Sequence, residues 1–186
     1  MACKNPGCPE DMYRTRWATA KDLPALKSLM ALAIDALQVG LLSPEQISAS
    51  HAIMGLDTQL IEDGTYLIAE KDGAIAGCGG WSKRATLYGG DHSEGLRNPE
   101  FLDPARDPAK IRAMYTHPDF ARQGVGRLVL LKCEEAAAQN GFSAVELMAT
   151  LSGERLYVAA GYVPVERVEA VANGVAIPLV RMRKQF

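Results

Sequence analysis

The stretch "PDFARQGVGRLVLL", Pro118–Leu131, decides how the fold of this chain is interpreted. Two glycines, Gly124 and Gly126, stand one residue apart between Arg122 and Arg127, and an apolar run of helical spacing follows them. The first backbone N–H groups of a helix lack intrahelical partners and point toward the preceding turn, with the positive end of the helix dipole. Phosphate groups bind such helix N-termini, so the stretch predicts an anion site.

Two common phosphate-binding motifs do not fit this turn. A Walker A loop needs a Lys-Ser/Thr pair after its glycines, and no such pair follows here. A dinucleotide fingerprint needs a third glycine three residues after Gly126, where this chain has Val129. A tight strand-to-helix turn that binds no ligand stays open as the simplest alternative, since glycine is common in turns.

Composition indicates one soluble globular domain. The chain has 186 residues, of which 48% are hydrophobic and 23% charged, and its net charge is −2. This charge gives no general attraction to nucleic acid or to an anionic membrane, so we expect neither as a partner. The apolar region 23–42 is interrupted by Lys27, Asp35 and Gln38 and predicts an amphipathic helix. The start lacks the apolar core of a signal peptide, which favours a cytoplasmic location.

The four cysteines do not predict a metal site. Cys3 and Cys8 lie in a stretch rich in proline and glycine, and no second Cys/His pair has the spacing of a zinc site. Cys78 lies in a strand-like run and Cys133 on the apolar side of a helix, so both are predicted to be buried thiols. We expect no metal.

Working outward from the glycine turn, the patterns predict a mixed α/β domain around a single sheet. Residues 1–11 are predicted to be a loose tail and residues 12–186 the domain. A first helix is capped by Thr19 and Asp22, and a second helix from Ser43 to Leu56 or Ile61 follows. The remaining predicted elements are strands near 13–18, 65–70, 74–81, 110–116, 143–149, 162–171 and 175–184, and helices near 125–140 and 152–160.

Two dipeptides predict hairpins, and one loop stands out. Asp72-Gly73 and Asn173-Gly174 each separate two strand-like runs. Residues 82–108 form a long loop with little periodicity, which predicts a border of a substrate site. Pro178 predicts that the last strand is an edge strand or carries a bulge, and the apolar run "VAIPLV" around it favours a homodimer surface.

The stretch "MYTHPDFARQGVGRLVLL" resembles the acyl-CoA-binding motif of the GNAT superfamily of N-acetyltransferases. That motif is a strand ending in x-Val-x-Pro, then Arg/Gln-x-x-Gly-x-Gly/Ala, then a helix. Thr116 stands here in place of the valine, and Ala121 stands where the pattern prefers Arg or Gln. Arg122, beside that departure, is expected to supply the positive charge.

A second match stands downstream and makes the resemblance more specific. "ATLSGERLYVAAGYV", residues 149–163, is similar to the family segment that ends in Tyr-x-x-x-Gly-Phe/Tyr, with Tyr157, Gly161 and Tyr162 in place. The resemblance covers about residues 12–186. It implies a GNAT-like acyl-CoA N-acyltransferase fold, that is, a mostly antiparallel central sheet flanked by helices and splayed between two neighbouring strands.

The resemblance implies roles for particular residues. Tyr157 would be the catalytic proton donor, and a core tyrosine is the alternative reading of the same residue. Acetyl-CoA would be the cosubstrate. Its pyrophosphate would bind backbone N–H groups of the glycine turn, its pantetheine amides would pair with the strand before the turn, and a small polar residue would contact its arm. The residues implied are Met114, Tyr115, Thr116, Arg122, Gln123, Gly124, Val125, Gly126, Arg127 and Ser152.

The function implied is direct transfer of an acetyl group from acetyl-CoA to a primary amine of a small molecule or peptide. A non-catalytic acyl-CoA-binding sensor of the same fold is the alternative, and an unrelated α/β domain is a third. The sequence does not select a general base, because the strand before the turn contains no acid. The candidates for that role are Glu45, Asp91, His92 and Glu146.

Overall fold

The computed structural model of this protein describes residues 9–186. Seven strands form one sheet in the order β1-β2-β3-β4-β5-β7-β6. The strands are β1 Arg14–Trp17, β2 Tyr66–Lys71, β3 Ala74–Ser82, β4 Ala109–Thr116, β5 Ala144–Thr150, β6 Val163–Ala172 and β7 Val175–Gln185. The helices are α1 Pro9–Met12, α2 Leu23–Leu37, α3 Pro44–Ser50, α4 Thr58–Glu62, α5 Val125–Gln139 and α6 Leu151–Ala159.

The sheet is mostly antiparallel, as predicted, and helices cover both of its faces. Only β4 and β5 run parallel to each other. Side chains alternate along each strand, so Leu67 of β2 packs with α5 on one face while Ile68 packs with α2 on the other. The sequence-based fold class, a mixed sheet flanked by helices, is confirmed.

Both predicted hairpins form, and both turn dipeptides adopt left-handed backbone conformations. Asp72 and Gly73 have φ of 51° and 82°, and Asn173 and Gly174 have φ of 52° and 77°. Two successive left-handed residues match the right-handed twist of the flanking strands. The Asn173-Gly174 turn joins β6 to β7, with Ala172 paired to Val175.

Helix caps form where they were predicted. The Asp22 carboxylate accepts a hydrogen bond from the Thr19 backbone N–H at 2.8 Å, at the start of a 3-10 turn that leads into α2. The Ser43 hydroxyl accepts from the Gln46 N–H at 3.2 Å at the start of α3. Ser43 precedes a proline in the first turn, which is preorganised for a helix start.

The prediction that the second helix runs on to Leu56 or Ile61 is wrong. Helix α3 ends at Ser50, and the separate helix α4 begins at Thr58. Gly55 between them has φ of +142°, which is incompatible with a continuous α-helix, and its N–H donates to the Tyr115 hydroxyl at 2.8 Å. A tertiary hydrogen bond to a strand thus replaces helical pairing at this position.

The prediction from Pro178, that the last strand is an edge strand or carries a bulge, is also corrected. Strand β7 lies inside the sheet between β5 and β6, and the irregular pairing of the β6–β7 ladder falls at Pro164–Glu166 of β6. The β5 ladder reaches β7 only as far as Thr150–Leu179, so Pro178 lies beyond the end of β5 and pairs only with Glu169 of β6. The missing proline N–H therefore costs no hydrogen bond to β5. The edge strand at this side is β6.

Further expectations concern the first residues of the chain, the cysteines, membrane-spanning helices and metal sites. Residues 1–8 of the predicted loose tail, with Cys3 and Cys8, lie outside the described residues, but the tail prediction is wrong for residues 9–11, which belong to helix α1. Cys78 and Cys133 are buried, as predicted, and burial raises the pKa of the Cys78 thiol to about 12. Within residues 9–186, no helix is long and apolar enough to span a membrane, and no cluster of metal-ligating side chains occurs.

Candidate active site

The sheet opens between β4 and β5. Their parallel ladder joins Ala109–Ile111 of β4 to Val145–Leu147 of β5 and then stops. From Arg112 onward, the edge of β4 that faces β5 is unpaired, while its other edge stays bonded to β3. Backbone N–H and C=O groups on this edge of β4 are therefore available to pair with a ligand in the manner of an added strand.

A bulge shapes this part of β4. Cys78 pairs with Tyr115 and Gly80 with Arg112, so two residues of β4 oppose one of β3. Ala113 in the bulge has φ of +50°, which is uncommon for a residue with a side chain. The hydroxyl of buried Tyr66 donates to the Ala113 carbonyl at 2.7 Å and holds the bulge in place.

The glycine turn that follows β4 contains two left-handed residues. Arg122 has φ of +64° and Gly124 has φ of +86°, and α5 begins at Val125. The N–H groups of Val125, Gly126 and Arg127 have no acceptor within residues 9–186. They form the concave set of donors that binds anions at helix N-termini.

Because Gly126 has no side chain, this turn lies close to α6 and to the end of β4. A Cβ atom at Gly126 would lie 3.3 Å from the Leu156 side chain of α6 and 3.4 Å from the Thr116 hydroxyl. The side chains of β4 and α6 therefore press against the turn from both sides. This close approach explains the second glycine of the sequence pattern without invoking a ligand.

A cavity of about 740 Å³ follows the opening between the strands. Nearly all the residues that the sequence predicted for the site line it. These are Met114, Tyr115, Thr116, Arg122, Gly124, Val125, Gly126, Arg127, Ser152 and Tyr157. Gln123 does not line the cavity, and its side-chain amide instead donates to the Asp119 carbonyl at 2.8 Å.

Three arginines lie at one end of the cavity. Arg122 and Arg127 belong to the glycine turn and the first turn of α5, and Arg155 belongs to α6. All three are exposed, and none has an ion-pair partner among the residues of the described chain. We call the region formed by the glycine turn, these arginines and the unpaired edge of β4 the donor end. Its charge and its free N–H groups suit a polyanion.

Tyr157 reaches the middle of the cavity from α6. Only 7% of its surface is exposed, and its hydroxyl has no hydrogen-bond partner among the described side chains and backbone groups. Its ring packs edge-on against Tyr162, with 5.7 Å between the centroids. Burial raises the pKa of the Tyr157 phenol, with a smaller contribution from Cys133. The phenol is therefore protonated at neutral pH and is free to donate to a group in the cavity.

Tyr115 contributes more than the backbone contact that the sequence predicted. Its side chain is buried and packs with α2, and its hydroxyl accepts the Gly55 N–H that ends the α3 region. Burial raises the pKa of this phenol, and the Gly55 hydrogen bond opposes that effect. Tyr115 thereby links residues 53–55, which also line the cavity, to β4.

The opposite end of the cavity, which we call the acceptor end, was not predicted residue by residue. Its walls come from α2 and the turn after it, from residues 53–55, from residues 87–89 of the long loop, and from single residues of β5 and β7. They include Ala33, Ile34, Leu37, Gln38, Leu41, Ile53, Met54, Leu87, Tyr88, Met148 and Leu179. Of the loop at 82–108, Leu87, Tyr88 and Gly89 line the cavity, and that the cavity is a substrate site stays a prediction.

Arg112 lies between the two ends and is paired beneath the surface. Its guanidinium forms an ion pair with Asp57, whose side chain is fully buried, and also donates to the Gly89 carbonyl at 2.8 Å. Burial lowers the pKa of Arg112, and Asp57 opposes that shift. Asp57 is held additionally by Arg97 at 3.2 Å and accepts the Gln59 N–H at the start of α4. No periodic pattern in the sequence marks this pair.

The four candidate bases of the sequence analysis lie outside the cavity lining. Glu146 forms ion pairs with Lys110 at 2.7 Å and Arg181 at 3.5 Å. Asp91 accepts from the Thr58 N–H at 2.9 Å, and Glu45 and His92 are exposed. Within the described part of the chain, no Asp, Glu or His lines the cavity.

Comparison with known proteins agrees with this geometry. The sequence model described as "Acetyltransferase (GNAT) family" matches residues 28–162. A search of curated proteins found no match. Among solved structures, a GCN5-related N-acetyltransferase from Rhodopseudomonas palustris superposes with a TM-score of 0.68 at 20% identity, covering 94% of this chain and 96% of that chain.

Two further solved structures contain the coenzyme. The PaiA N-acetyltransferase from Thermoplasma acidophilum, in complex with coenzyme A, has a TM-score of 0.62 at 15% identity, with 94% of this chain and 99% of that chain covered. A phosphinothricin acetyltransferase from Sinorhizobium meliloti, in complex with acetyl-CoA, has a TM-score of 0.61 at 16% identity, with 94% and 89% covered. At these identities, the likeness establishes the fold.

Proposed function

This chain belongs to the GNAT acetyltransferase family, and we propose that it moves an acetyl group from acetyl-CoA to a primary amine of a small molecule or peptide by direct transfer. The observation that carries the proposal is the continuity of one cavity from the donor end, past Tyr157, to the acceptor end. We propose residues 12–186 as the catalytic domain.

The donor end fits the chemistry of acetyl-CoA. The pyrophosphate would accept hydrogen bonds from the N–H groups of Val125, Gly126 and Arg127, and the unpartnered arginines would meet the phosphate charges. Met114, Tyr115 and Thr116 would pair through their backbone with the pantetheine amides. Ser152 at the start of α6 lines the same passage and would contact the pantetheine arm. Gln123 would contribute through its backbone N–H alone, because its side chain is bonded to Asp119.

The chemical step needs a neutral amine and a protonated leaving group. The nitrogen lone pair attacks the thioester carbonyl carbon, the new N–C bond forms, and the C–S bond breaks. Tyr157 gives its proton to the departing sulfur and regains one shed by the nitrogen, so the products are an N-acetyl amine and the CoA thiol. Holding both reactants in one cavity supplies much of the rate.

Calorimetric titration with acetyl-CoA tests the donor site directly. We expect binding by the wild-type protein and a loss of at least about 100-fold in affinity in Gly124→Glu, which places a carboxylate among the anion-binding N–H groups and strains a residue with φ of +86°. Gly174→Glu is the matched control. It makes the same change at φ of +77° in the β6–β7 turn, so it carries similar strain away from the cavity.

Three results of this titration are informative. Binding lost only in Gly124→Glu supports the site. Binding without acetylation of any amine in a panel would favour the sensor function over the enzyme. No binding by the wild-type protein would contradict the proposal and leave the glycines as a plain turn.

We also propose a homodimer formed through the last hairpin. Strand β6 is an edge strand, and Val163, Val165 and Val171 on it are 62%, 47% and 71% exposed. Exposed apolar side chains on an edge strand suit pairing with a second copy. A monomeric mass in solution at assay concentration would contradict this part of the proposal.

A further inference from the structure

The acceptor end presents apolar walls to whatever enters it. Ile34 and Leu37 of α2, Ile53 and Met54 after α3, and Met148 and Leu179 of the sheet enclose it. Transfer of an apolar ligand from water to such walls is favourable. A polyamine or a lysine chain, with a charge at its tip, would instead lose hydration there.

Two carboxylates of neighbouring segments, Asp57 and Asp35, are already paired with other side chains. The Asp57 side chain is fully buried and forms ion pairs with both Arg112 and Arg97. Asp35, on the far side of α2, contacts His51 at 2.7 Å. A protonated amine entering the acceptor end would therefore find no carboxylate among the described residues that line it, which disfavours the charged form of the amine.

Gln38 supplies one polar group that suits an uncharged amine. The residue is 3% exposed and lines the cavity at the end of α2. Its side-chain nitrogen donates to the Ile34 carbonyl at 3.4 Å, while the side-chain oxygen has no donor among the described residues. That amide oxygen is an acceptor for the N–H of a neutral amine, and it carries no net charge that would hold an ammonium.

The proton balance of the transfer agrees with an uncharged acceptor. A neutral amine sheds one proton when its N–C bond forms, and the sulfur takes up one proton when the C–S bond breaks. Tyr157 therefore passes a single proton, and no second group has to remove one. An alkylammonium, with a pKa near about 10.4, would have to lose a further proton before it attacks.

Resting on the proposed acetyl transfer, we infer that the acceptor is an apolar amine whose nitrogen is uncharged at neutral pH, of the aromatic amine class. The apolar walls bind its ring, the Gln38 oxygen accepts one of its N–H groups, and the lining within residues 9–186 offers no carboxylate to a protonated competitor. Substrates of the polyamine and lysine class are disfavoured by the same three features.

A matched pair of amines tests this inference. Aniline and cyclohexylamine have six-membered rings of similar size, but the aromatic ring keeps the aniline nitrogen unprotonated at about pH 7. We expect kcat/KM, followed by release of the CoA thiol, to be at least about 10-fold higher for aniline. It should stay flat between about pH 7 and 9 for aniline and rise about 10-fold per unit for cyclohexylamine, because only the uncharged form reacts.

A variant separates the influence of the site from the intrinsic reactivity of the amines. Gln38→Glu places a carboxylate where the amide lies and is expected to shift the aniline-to-cyclohexylamine ratio of kcat/KM at least about 10-fold toward cyclohexylamine. Gln139→Glu adds the same charge at the exposed end of α5 and should leave the ratio unchanged. Calorimetry of the CoA-bound protein with each amine gives a readout independent of turnover, with tighter binding expected for aniline.

The outcomes distinguish this inference from the proposed function. If acetyl-CoA binds and cyclohexylamine or spermidine is acetylated as well as aniline at about pH 7, the acceptor class is wrong and acetyl transfer stands. If acetyl-CoA binds and no aromatic amine is acetylated, the acceptor class is likewise wrong. If acetyl-CoA does not bind, the proposed function fails and this inference fails with it.

Discussion

The donor end and the acceptor end of one cavity are built in different ways. The donor end consists of backbone N–H groups at the start of α5, the unpaired edge of β4 and three arginines that have no ion-pair partner within residues 9–186. The acceptor end consists mostly of apolar side chains from five separate segments, with the polar Gln38 among them, and Arg112 between the two ends is neutralised by the buried Asp57. The difference teaches that, under the proposed function, the anionic ligand would meet a locally built turn, whereas the second ligand would meet walls assembled by tertiary packing.

The largest effect is expected from breaking the ion pair beneath the acceptor end. Arg112→Met removes the partner of a fully buried carboxylate and should lower the free energy of unfolding by about 3 kcal/mol, because Asp57 keeps a charge that is incompletely compensated. Urea unfolding measures this change. The affinity for acetyl-CoA of the folded fraction should stay within about threefold of the wild type, since the donor end is untouched.

The matched control for that variant is the double substitution Arg112→Met with Asp57→Asn. Asparagine still caps α4 and carries no charge, so most of the lost stability should return. Equal destabilisation in the single and double variants would show that the ion pair does not carry the effect.

The next largest effect is expected at the junction of the two ends. Tyr157→Phe removes the only proposed proton donor to the sulfur and should lower kcat about 100-fold with little change in the KM for acetyl-CoA. Steady-state kinetics with a good acceptor measures both constants. Tyr162→Phe makes the same change in the neighbouring ring and should leave kcat within about twofold. An unchanged kcat in Tyr157→Phe would remove its role as proton donor and favour the core-tyrosine reading.

A smaller effect is expected from removing the hydroxyl of Tyr66, which supports the unpaired edge of β4. Tyr66→Phe deletes the hydroxyl that holds the Ala113 carbonyl in the β4 bulge, and kcat/KM for acetyl-CoA should fall about 10-fold as the edge of β4 shifts. The comparison variant is Ile68→Val, on the same strand and also buried, which should cost a similar stability of about 1 kcal/mol without a kinetic effect. Equal kinetics in the two variants would mean that Tyr66 acts on stability alone.

The smallest effect is expected at the exposed arginines of the donor end. Arg127→Ala should weaken acetyl-CoA binding about fivefold at low salt, and the difference should shrink as salt is raised because exposed charges are screened. Calorimetry at two ionic strengths measures the change. Arg106→Ala, in the long loop away from the cavity, is the control and should have no effect. A salt-independent loss would indicate that Arg127 acts by packing.

Local signals in the sequence predicted most of the elements correctly. The turn dipeptides, the capping residues Thr19 and Ser43 and the alternation of apolar residues all concern neighbours within a few positions, and they fix the conformation of the chain there. The two errors share one cause. The end of α3 is set by Gly55 bonding to Tyr115, and the place of Pro178 is set by where β5 stops, and both depend on residues distant in the chain.

The glycine turn shows what the sequence determined by itself. Its anion-binding geometry needs only a left-handed Gly124, a bare Gly126 and a helix that starts at Val125, and these follow from the order of a few consecutive residues. The family resemblance rested on the same local pattern, with Tyr157 added at the second motif. Such features can be recognised in a sequence because covalent neighbours create them.

The tertiary structure alone decided the acceptor end. Gln38, Arg112 and Met148 come from a helix and two strands, and only the packing of α2 over the opened sheet brings them to one cavity. The fold likewise pairs the buried Asp57 with Arg112 and leaves the four candidate bases outside the cavity lining. Burial and charge pairing between segments far apart in the chain set these roles, because desolvation depends on the folded surroundings of a group and not on its neighbours in sequence.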